Sequence, residues 1–116
     1  MSWLVDNLFS DIPAAGAGEI FDILVQTGTC RLERILSFGQ ATPPGQWYDQ
    51  SQDEWVVLLQ GRAGLRFEGE DVLELGPGDY IWIPAHCRHR VEWTYPNGPT
   101  LWLALHLIQE GSVEQR

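Results

Sequence analysis

Short apolar runs separated by turn-forming residues recur along the whole chain. The run 54–60, EWVVLLQ, ends at Gly61, and the run 80–83, YIWI, follows a Gly-Pro-Gly turn and ends at Pro84. Aromatic and β-branched residues favour strands, and proline ends a strand because it has no N–H for the ladder. Turn signals every eight to twelve residues or so, with no long amphipathic helix, predict an all-β sandwich or barrel. Further strands are predicted over 63–68, 72–75, 91–93 and 100–108.

The first part of the chain is predicted to contain a hairpin. Residues 20–25 and 30–36 flank the turn-forming segment 27–29, and a short helix over 19–26 is the alternative for the first run. The second run alternates in the manner of a strand with one wet face. Its two faces carry Arg31, Glu33 and Ile35 on one side and Leu32 and Arg34 on the other.

Composition and charge narrow the classes of protein. The chain has 116 residues, enough for one domain, and its 7 basic and 16 acidic residues give a net charge of −9. No basic surface is available to neutralise phosphates, so a nucleic-acid partner is not expected. Cys30 and Cys87 are too few for a disulfide scaffold, and no signal-peptide pattern or membrane-length apolar run is present. We expect a soluble, cytoplasmic protein with no membrane partner.

Candidate chemistry is concentrated after the strand 80–83 and at the start of the strand 54–60. His86 and His89 follow Pro84 closely, where binding residues are common, although a hairpin corner with locally bonded histidines is the alternative. Strand alternation places Glu54 on one face with Val56 and Leu58. A glutamate inside a β-domain must be paired, protonated or bound to a cation, because burying an unpaired carboxylate is costly.

The spacing of these residues resembles the two motifs of the cupin superfamily. Glu54, six residues and Gly61 resemble the end of the first motif, and Gly78, five residues, Pro84 and then His89 resemble the second. The resemblance covers about residues 39–93. It implies a jelly-roll β-barrel, often dimeric, with a metal held inside by three histidines and a glutamate. On this basis residues 1–30 are an arm with the first strand or helix, 31–110 are the barrel, and 111–116 are a flexible tail.

The resemblance is incomplete at the positions of the usual ligands. The His-x-His pair of the first motif falls on Trp47 and Asp49, or in the other register on Tyr48 and Gln50. In the second motif a glycine is replaced by His86, a residue that tolerates a left-handed backbone better than most. Half of the usual ligand set is therefore missing from the sequence.

The residues that remain imply a metal site of Asp49, Glu54 and His89. Such an oxygen-rich set suits Mn or Fe(II), and Zn also fits. His106 in the last predicted strand is a possible further ligand if its face points inward, and a histidine satisfied by a tyrosine or by backbone is the alternative. No catalytic residue and no organic cofactor are assigned. The predicted pocket residues are Trp47, Tyr48, Gln50, Tyr80 and Trp82, with Arg66 and Arg90 as further candidates.

Three functions remain open at this point. The first is binding of a divalent metal, a small organic ligand or both in the barrel interior, with the reaction unspecified. The second is a metal-free protein that binds a small molecule, with Glu54 and His89 paired to each other. The third is a structural or regulatory homodimer whose interface uses the outward residues Trp55, Val57 and Leu59.

Overall fold

The computed structural model describes residues 3–108 and contains only strands and loops in that range. Every predicted run forms a strand, and the alternative of a helix over 19–26 is wrong because that segment pairs with the next strand across the turn at 27–29. With no helix present, residues 3–108 hold no helical segment that could span a bilayer. The strands are β1 (Ile20–Gln26), β2 (Cys30–Ser37), β3 (Asp53–Gln60), β4 (Ala63–Phe67), β5 (Leu73–Leu75), β6 (Tyr80–Ile83), β7 (His89–Thr94) and β8 (Thr100–Leu107).

The eight strands form two antiparallel sheets. The larger sheet has the order β1-β2-β8-β3-β6, and the smaller has the order β5-β4-β7. This arrangement confirms an all-β jelly-roll domain. Within residues 3–108 the strand pairing leaves two separate sheets and does not close into one continuous barrel.

The apolar core lies between the two sheets. Leu58 and Trp102 from the larger sheet pack with Ala63 and Leu65 from the smaller one, and all four are buried. Alternation explains the sorting, because every second side chain of each strand points to the same face. The inward residues of the core cluster are Val56, Leu58, Ala63, Leu65, Leu75, Ile83, Trp102 and Ala104.

Part of the N-terminal arm lies against the first hairpin. The Arg34 guanidinium donates to the backbone oxygens of Leu8 at 3.0 Å and Ser10 at 2.6 Å, and it pairs with Asp22 at 2.8 Å. The outward face of β1 and β2 therefore carries the arm. The tail predicted at 111–116 lies outside the described residues.

Candidate functional site

A cavity of about 340 Å³ lies between the sheets. Its walls are mainly apolar, and residues of β2, β3, β7 and β8 bring polar and charged groups into it. A small apolar cavity with a few converging polar groups is the usual form of a small-molecule site. The charged and imidazole side chains that line it are Glu19, Arg31, Glu33, Glu54, His89 and His106.

Glu54 reaches the cavity wall from the second position of β3. Its side chain faces inward with Val56 and Leu58, as the alternation predicts, and it is 8% exposed. Burial is the main cause that raises the pKa of Glu54 to about 7; Glu33 adds to the rise, and Arg31 opposes it. The carboxyl group can therefore release or accept a proton near neutral pH.

His89 begins β7 and is buried in the same wall. Its Nδ1 donates to the backbone oxygen of Cys87 at 2.8 Å, which leaves Nε2 as the unprotonated nitrogen of a neutral ring. Burial lowers the pKa of His89, and the bond to Cys87 opposes that effect. The rings of Tyr48 and Phe67 lie 5.6 Å and 6.0 Å from the imidazole. The packing holds a neutral histidine in a fixed orientation.

His106 lies on β8 between two strands that also carry charged groups. Its register partners are Glu54 on β3 and Arg31 on β2, so the inward orientation considered in the sequence is the observed one. Its Nε2 donates to Oε1 of Glu33 at 3.0 Å, and the partner is a carboxylate rather than a tyrosine or backbone group. Burial and the nearby Arg31 lower the pKa of His106 and outweigh the opposing effect of Glu33.

The segment 42–50 completes the wall beside His89. Tyr48 N–H donates to the backbone oxygen of His89 at 2.7 Å, and His89 N–H donates back to Tyr48 at 3.1 Å. The Gln50 backbone oxygen accepts from His86 N–H at 2.7 Å. Two of the predicted pocket residues, Tyr48 and Gln50, thereby line the cavity.

Arg90 fixes the loop that leads into this wall. Its guanidinium is buried and donates to the backbone oxygens of Thr42 at 2.9 Å and of Pro43 and Gln46 at 3.0 Å. The Glu92 carboxylate balances the positive charge of Arg90, with its Oε2 3.1 Å from the Arg90 Nε. Arg90 thus supports the cavity wall from outside and does not line the cavity.

Asp49 lies outside the group of residues that line the cavity. Its Oδ1 pairs with Nδ1 of His86 at 2.8 Å, and both side chains are largely exposed. His86 has a φ of 62°, so it takes the left-handed conformation expected where a glycine usually stands. Alternation accounts for the position of Asp49, because its neighbours Tyr48 and Gln50 are the ones that turn inward.

Three other predicted pocket residues also lie elsewhere. Trp47 packs on the outside among arginines, with the guanidinium carbons of Arg66 and Arg90 each 5.8 Å from its ring. Tyr80 and Trp82 are 67% and 47% exposed on the outer face of β6, because Ile83 takes the inward position. The outer face of the neighbouring strand β3 carries Trp55, Val57 and Leu59, the residues predicted for a dimer interface. The homodimer itself stays a prediction.

The described residues do not fit the metal site that the sequence resemblance implies. Among residues 3–108 no group of three or more His, Cys, Asp and Glu side chains is arranged to hold a metal ion. Of the predicted set, Glu54 and His89 line the cavity, and Asp49 is engaged with His86. His106 is engaged with Glu33. Of these four residues, only Glu54 and His89 therefore line the cavity without a side-chain hydrogen-bond partner among the described residues.

Sequence reasoning missed three charged residues of the site, Glu19, Arg31 and Glu33. All three line the cavity, the last two beside Ile35 of β2. The alternation of β2 placed Arg31, Glu33 and Ile35 on one face and predicted that one of the two faces is wet, without saying which one. The sequence of β2 holds no signal that separates its faces, because Leu32 beside Arg34 on the opposite face is the same combination of apolar and charged residues.

Comparisons with known proteins support the fold described above. The family model of the cupin domain matches residues 36–106. A protein of Ralstonia eutropha JMP134, named as a candidate mannose-6-phosphate isomerase, is 48% identical; the match covers 91% of this chain and 99% of that one with a TM-score of 0.88. No curated protein matches the chain.

More distant structures share the fold. A cupin superfamily protein of Desulfitobacterium hafniense DCB-2 is 22% identical, with 84% of each chain covered and a TM-score of 0.70. The polyketide cyclase RemF of Streptomyces resistomycificus is 20% identical, with 94% of this chain and 81% of that one covered and a TM-score of 0.71. The family model matches more than half of the residues of this chain, and the chain therefore belongs to the cupin domain family.

Proposed function

We propose that this protein binds a small organic molecule in the cavity without a metal ion, and that Glu54 exchanges a proton with that molecule. The observation that carries the proposal is the position of Glu54, which is buried in the wall of a mainly apolar cavity of about 340 Å³. A cavity of this size suits a molecule of metabolite dimensions. Metal binding is the less favoured alternative, because the described residues assemble no ligand group.

The groups around Glu54 support proton transfer. A pKa near 7 gives useful amounts of both the acid and the base form at neutral pH, which is the condition for general acid–base catalysis. His89 is neutral and its Nε2 has a free lone pair, so it can accept a hydrogen bond from a ligand hydroxyl. The Tyr48 side chain lies on the same wall and can also bond to a polar ligand.

Isomerisation of a hydroxy-carbonyl compound is the first reaction class to test. In such a reaction a proton leaves the hydroxyl-bearing carbon and is delivered to the neighbouring carbonyl carbon, while the hydroxyl proton passes to the former carbonyl oxygen. One carboxyl group of intermediate pKa can perform both steps of the transfer between the carbons. The 48% identity to a candidate mannose-6-phosphate isomerase gives this class a further reason. Mannose and mannose 6-phosphate are therefore the first compounds to assay.

Ligand binding can be tested with one pair of glutamine variants. We expect a thermal-shift screen of small metabolites against chelator-treated protein to give stabilising compounds, and the variant Gln50→Trp to lose at least tenfold in affinity for them. The larger side chain would occupy the cavity wall, because Gln50 lines the cavity. The matched control is Gln46→Trp, which changes an exposed residue of the same segment and should leave affinity within twofold.

Two results would contradict the proposal. One is equal loss of affinity in both tryptophan variants, which would place the binding outside the cavity. The other is a protein that binds the compounds only after Mn, Fe(II) or Zn is restored, which would make the metal essential.

A further inference from the structure

Resting on the proposed function, we propose that the cavity selects an uncharged ligand over an anionic one, and that Glu33 is the residue that determines this selectivity. The first reason is the balance of charge in the wall. Three carboxyl groups line the cavity, those of Glu19, Glu33 and Glu54, and Arg31 is the one guanidinium among the described residues that line it. Any anion that enters therefore meets more negative than positive charge.

The second reason is that a carboxylate lies beside Arg31, although the Arg31 Nε has no hydrogen-bond partner among the described residues. Its Nε lies 3.7 Å from Oε1 of Glu33, and the Glu33 side chain is only 13% exposed. The same Oε1 accepts the hydrogen bond from His106 at 3.0 Å, which holds the carboxylate in place. A fixed carboxylate this close offsets part of the field of the guanidinium, whose side chain is 30% exposed. Arg31 is thus a weaker anchor for a phosphate or carboxylate than an arginine without an adjacent carboxylate would be.

The third reason is that the imidazoles do not restore positive charge. His89 presents an unprotonated nitrogen, and His106 uses its one N–H on Glu33. The rest of the wall includes Phe21, Ile35 and Trp102, which suit the apolar part of a ligand. The substrate class is therefore an uncharged molecule with hydroxyl or carbonyl groups. We expect its phosphate or carboxylate analogue to bind at least tenfold more weakly.

The outer surface near Trp47 supplies an internal reference of opposite character. Three guanidinium carbons lie within 6.0 Å of that ring, those of Arg66, Arg88 and Arg90. The paired acids there are Glu92 and Glu68. The positive groups outnumber the acids at this place, although the whole chain carries a charge of −9.

The potential inside the cavity can be measured without knowing the ligand. Two nitroxide probes of similar shape, aminomethyl-PROXYL as the cation and carboxy-PROXYL as the anion, are added separately to isotopically labelled protein. Paramagnetic relaxation is read at the methyl groups of Val56 and Ile83 in the cavity and at the indole N–H of Trp47. We expect the cation to relax the cavity methyl groups at least threefold more than the anion, and the ratio at Trp47 to be lower by at least twofold.

Charge variants then test the role of Glu33. Glu33→Gln is expected to lower the cation-to-anion ratio at the cavity methyl groups at least twofold, and Arg31→Gln is expected to raise it. The control Glu68→Gln removes a carboxylate that pairs with Arg88 outside the cavity. It should change the ratio at Trp47 and leave the cavity methyl groups unaffected. Arg31→Gln also keeps the test decisive if Glu33→Gln does not fold.

Ligand binding provides the second arm. For each uncharged compound from the metabolite screen, the affinity of its phosphate or carboxylate analogue is measured in the natural protein and in Glu33→Gln. The expected gap of tenfold or more should narrow to threefold or less in the variant. Three results would overturn the inference. The cation-to-anion ratio at the cavity methyl groups could be at or below the ratio at Trp47, or neither variant could shift it. The anionic analogues could also bind as tightly as the uncharged compounds. Absence of any ligand would instead count against the proposed function, and the probe ratios would still decide the charge selectivity.

Discussion

Replacing Gly61 with alanine is expected to lower the free energy of unfolding by about 3 kcal/mol or more. Gly61 turns the chain between β3 and β4 with a φ of 87°, which costs an L-residue roughly 1–2 kcal/mol. A Cβ there would also lie 2.8 Å from the backbone oxygen of Pro99 and 2.8 Å from Cα of Thr100. Backbone atoms cannot move aside cheaply, and overpacking of this kind adds about 1–3 kcal/mol. Urea unfolding of both proteins measures the difference.

Gly69→Ala is the matched control for this substitution. Gly69 has a φ of 83°, and a Cβ at that position would meet no atom within 4 Å. Only the conformational cost should appear, roughly 1–2 kcal/mol. Equal losses in the two variants would show that the close approach to β8 contributes nothing at Gly61.

Glu54→Gln is expected to stabilise the protein at alkaline pH. The pKa of Glu54 rises from 4.5 to about 7 on folding, a change of about 2.5 pH units, mainly because of burial. At about 1.4 kcal/mol per unit and with some access to solvent, the ionised carboxylate costs about 2–3 kcal/mol in the folded state. Glutamine has no charge to bury and removes that cost.

The pH dependence of this effect has a definite sign. Below pH 4 both the folded and the unfolded chain hold the proton, so the two proteins should have similar stability apart from a constant offset. Between about pH 4.5 and 7 the unfolded chain releases the proton first, and the advantage of glutamine should grow to its full value above pH 8. Glu74→Gln, in an exposed pair with Arg62, should show no such growth. If the free energies of unfolding of the natural protein and of Glu54→Gln changed in parallel with pH, the account of a buried carboxyl group would be contradicted.

The strands were predictable because their physical signals are local. Alternation, turn residues and Pro84 determine where β3, β4 and β6 begin and end to within one or two residues. The same local logic identified Gly61 as a turn residue, and the resemblance to the cupin motif placed His86 at a glycine position; both have positive φ. It also gave the correct face for Glu54, since the inward side of β3 is purely apolar apart from that residue.

The site was less predictable because it depends on contacts between distant strands. Glu33 and His106 are 73 positions apart, and only the pairing of β2 with β8 brings them together. The alternation of β2 grouped Arg31 with Glu33 correctly, but a pattern in one strand cannot reveal which face another sheet will cover. Trp47 was expected inside because it falls on a ligand position of the motif. Its neighbour Tyr48 pairs with His89 instead and turns inward, so Trp47 points outward.

The central claim is that Glu54 is a carboxyl group poised near neutral pH in a cavity that needs no metal. A direct measurement is the titration of its side-chain carboxyl carbon by ¹³C NMR in chelator-treated protein, assigned by its absence in Glu54→Gln. The account predicts a midpoint near pH 7 for Glu54. A Glu54 midpoint below pH 5 in the metal-depleted protein would contradict the claim.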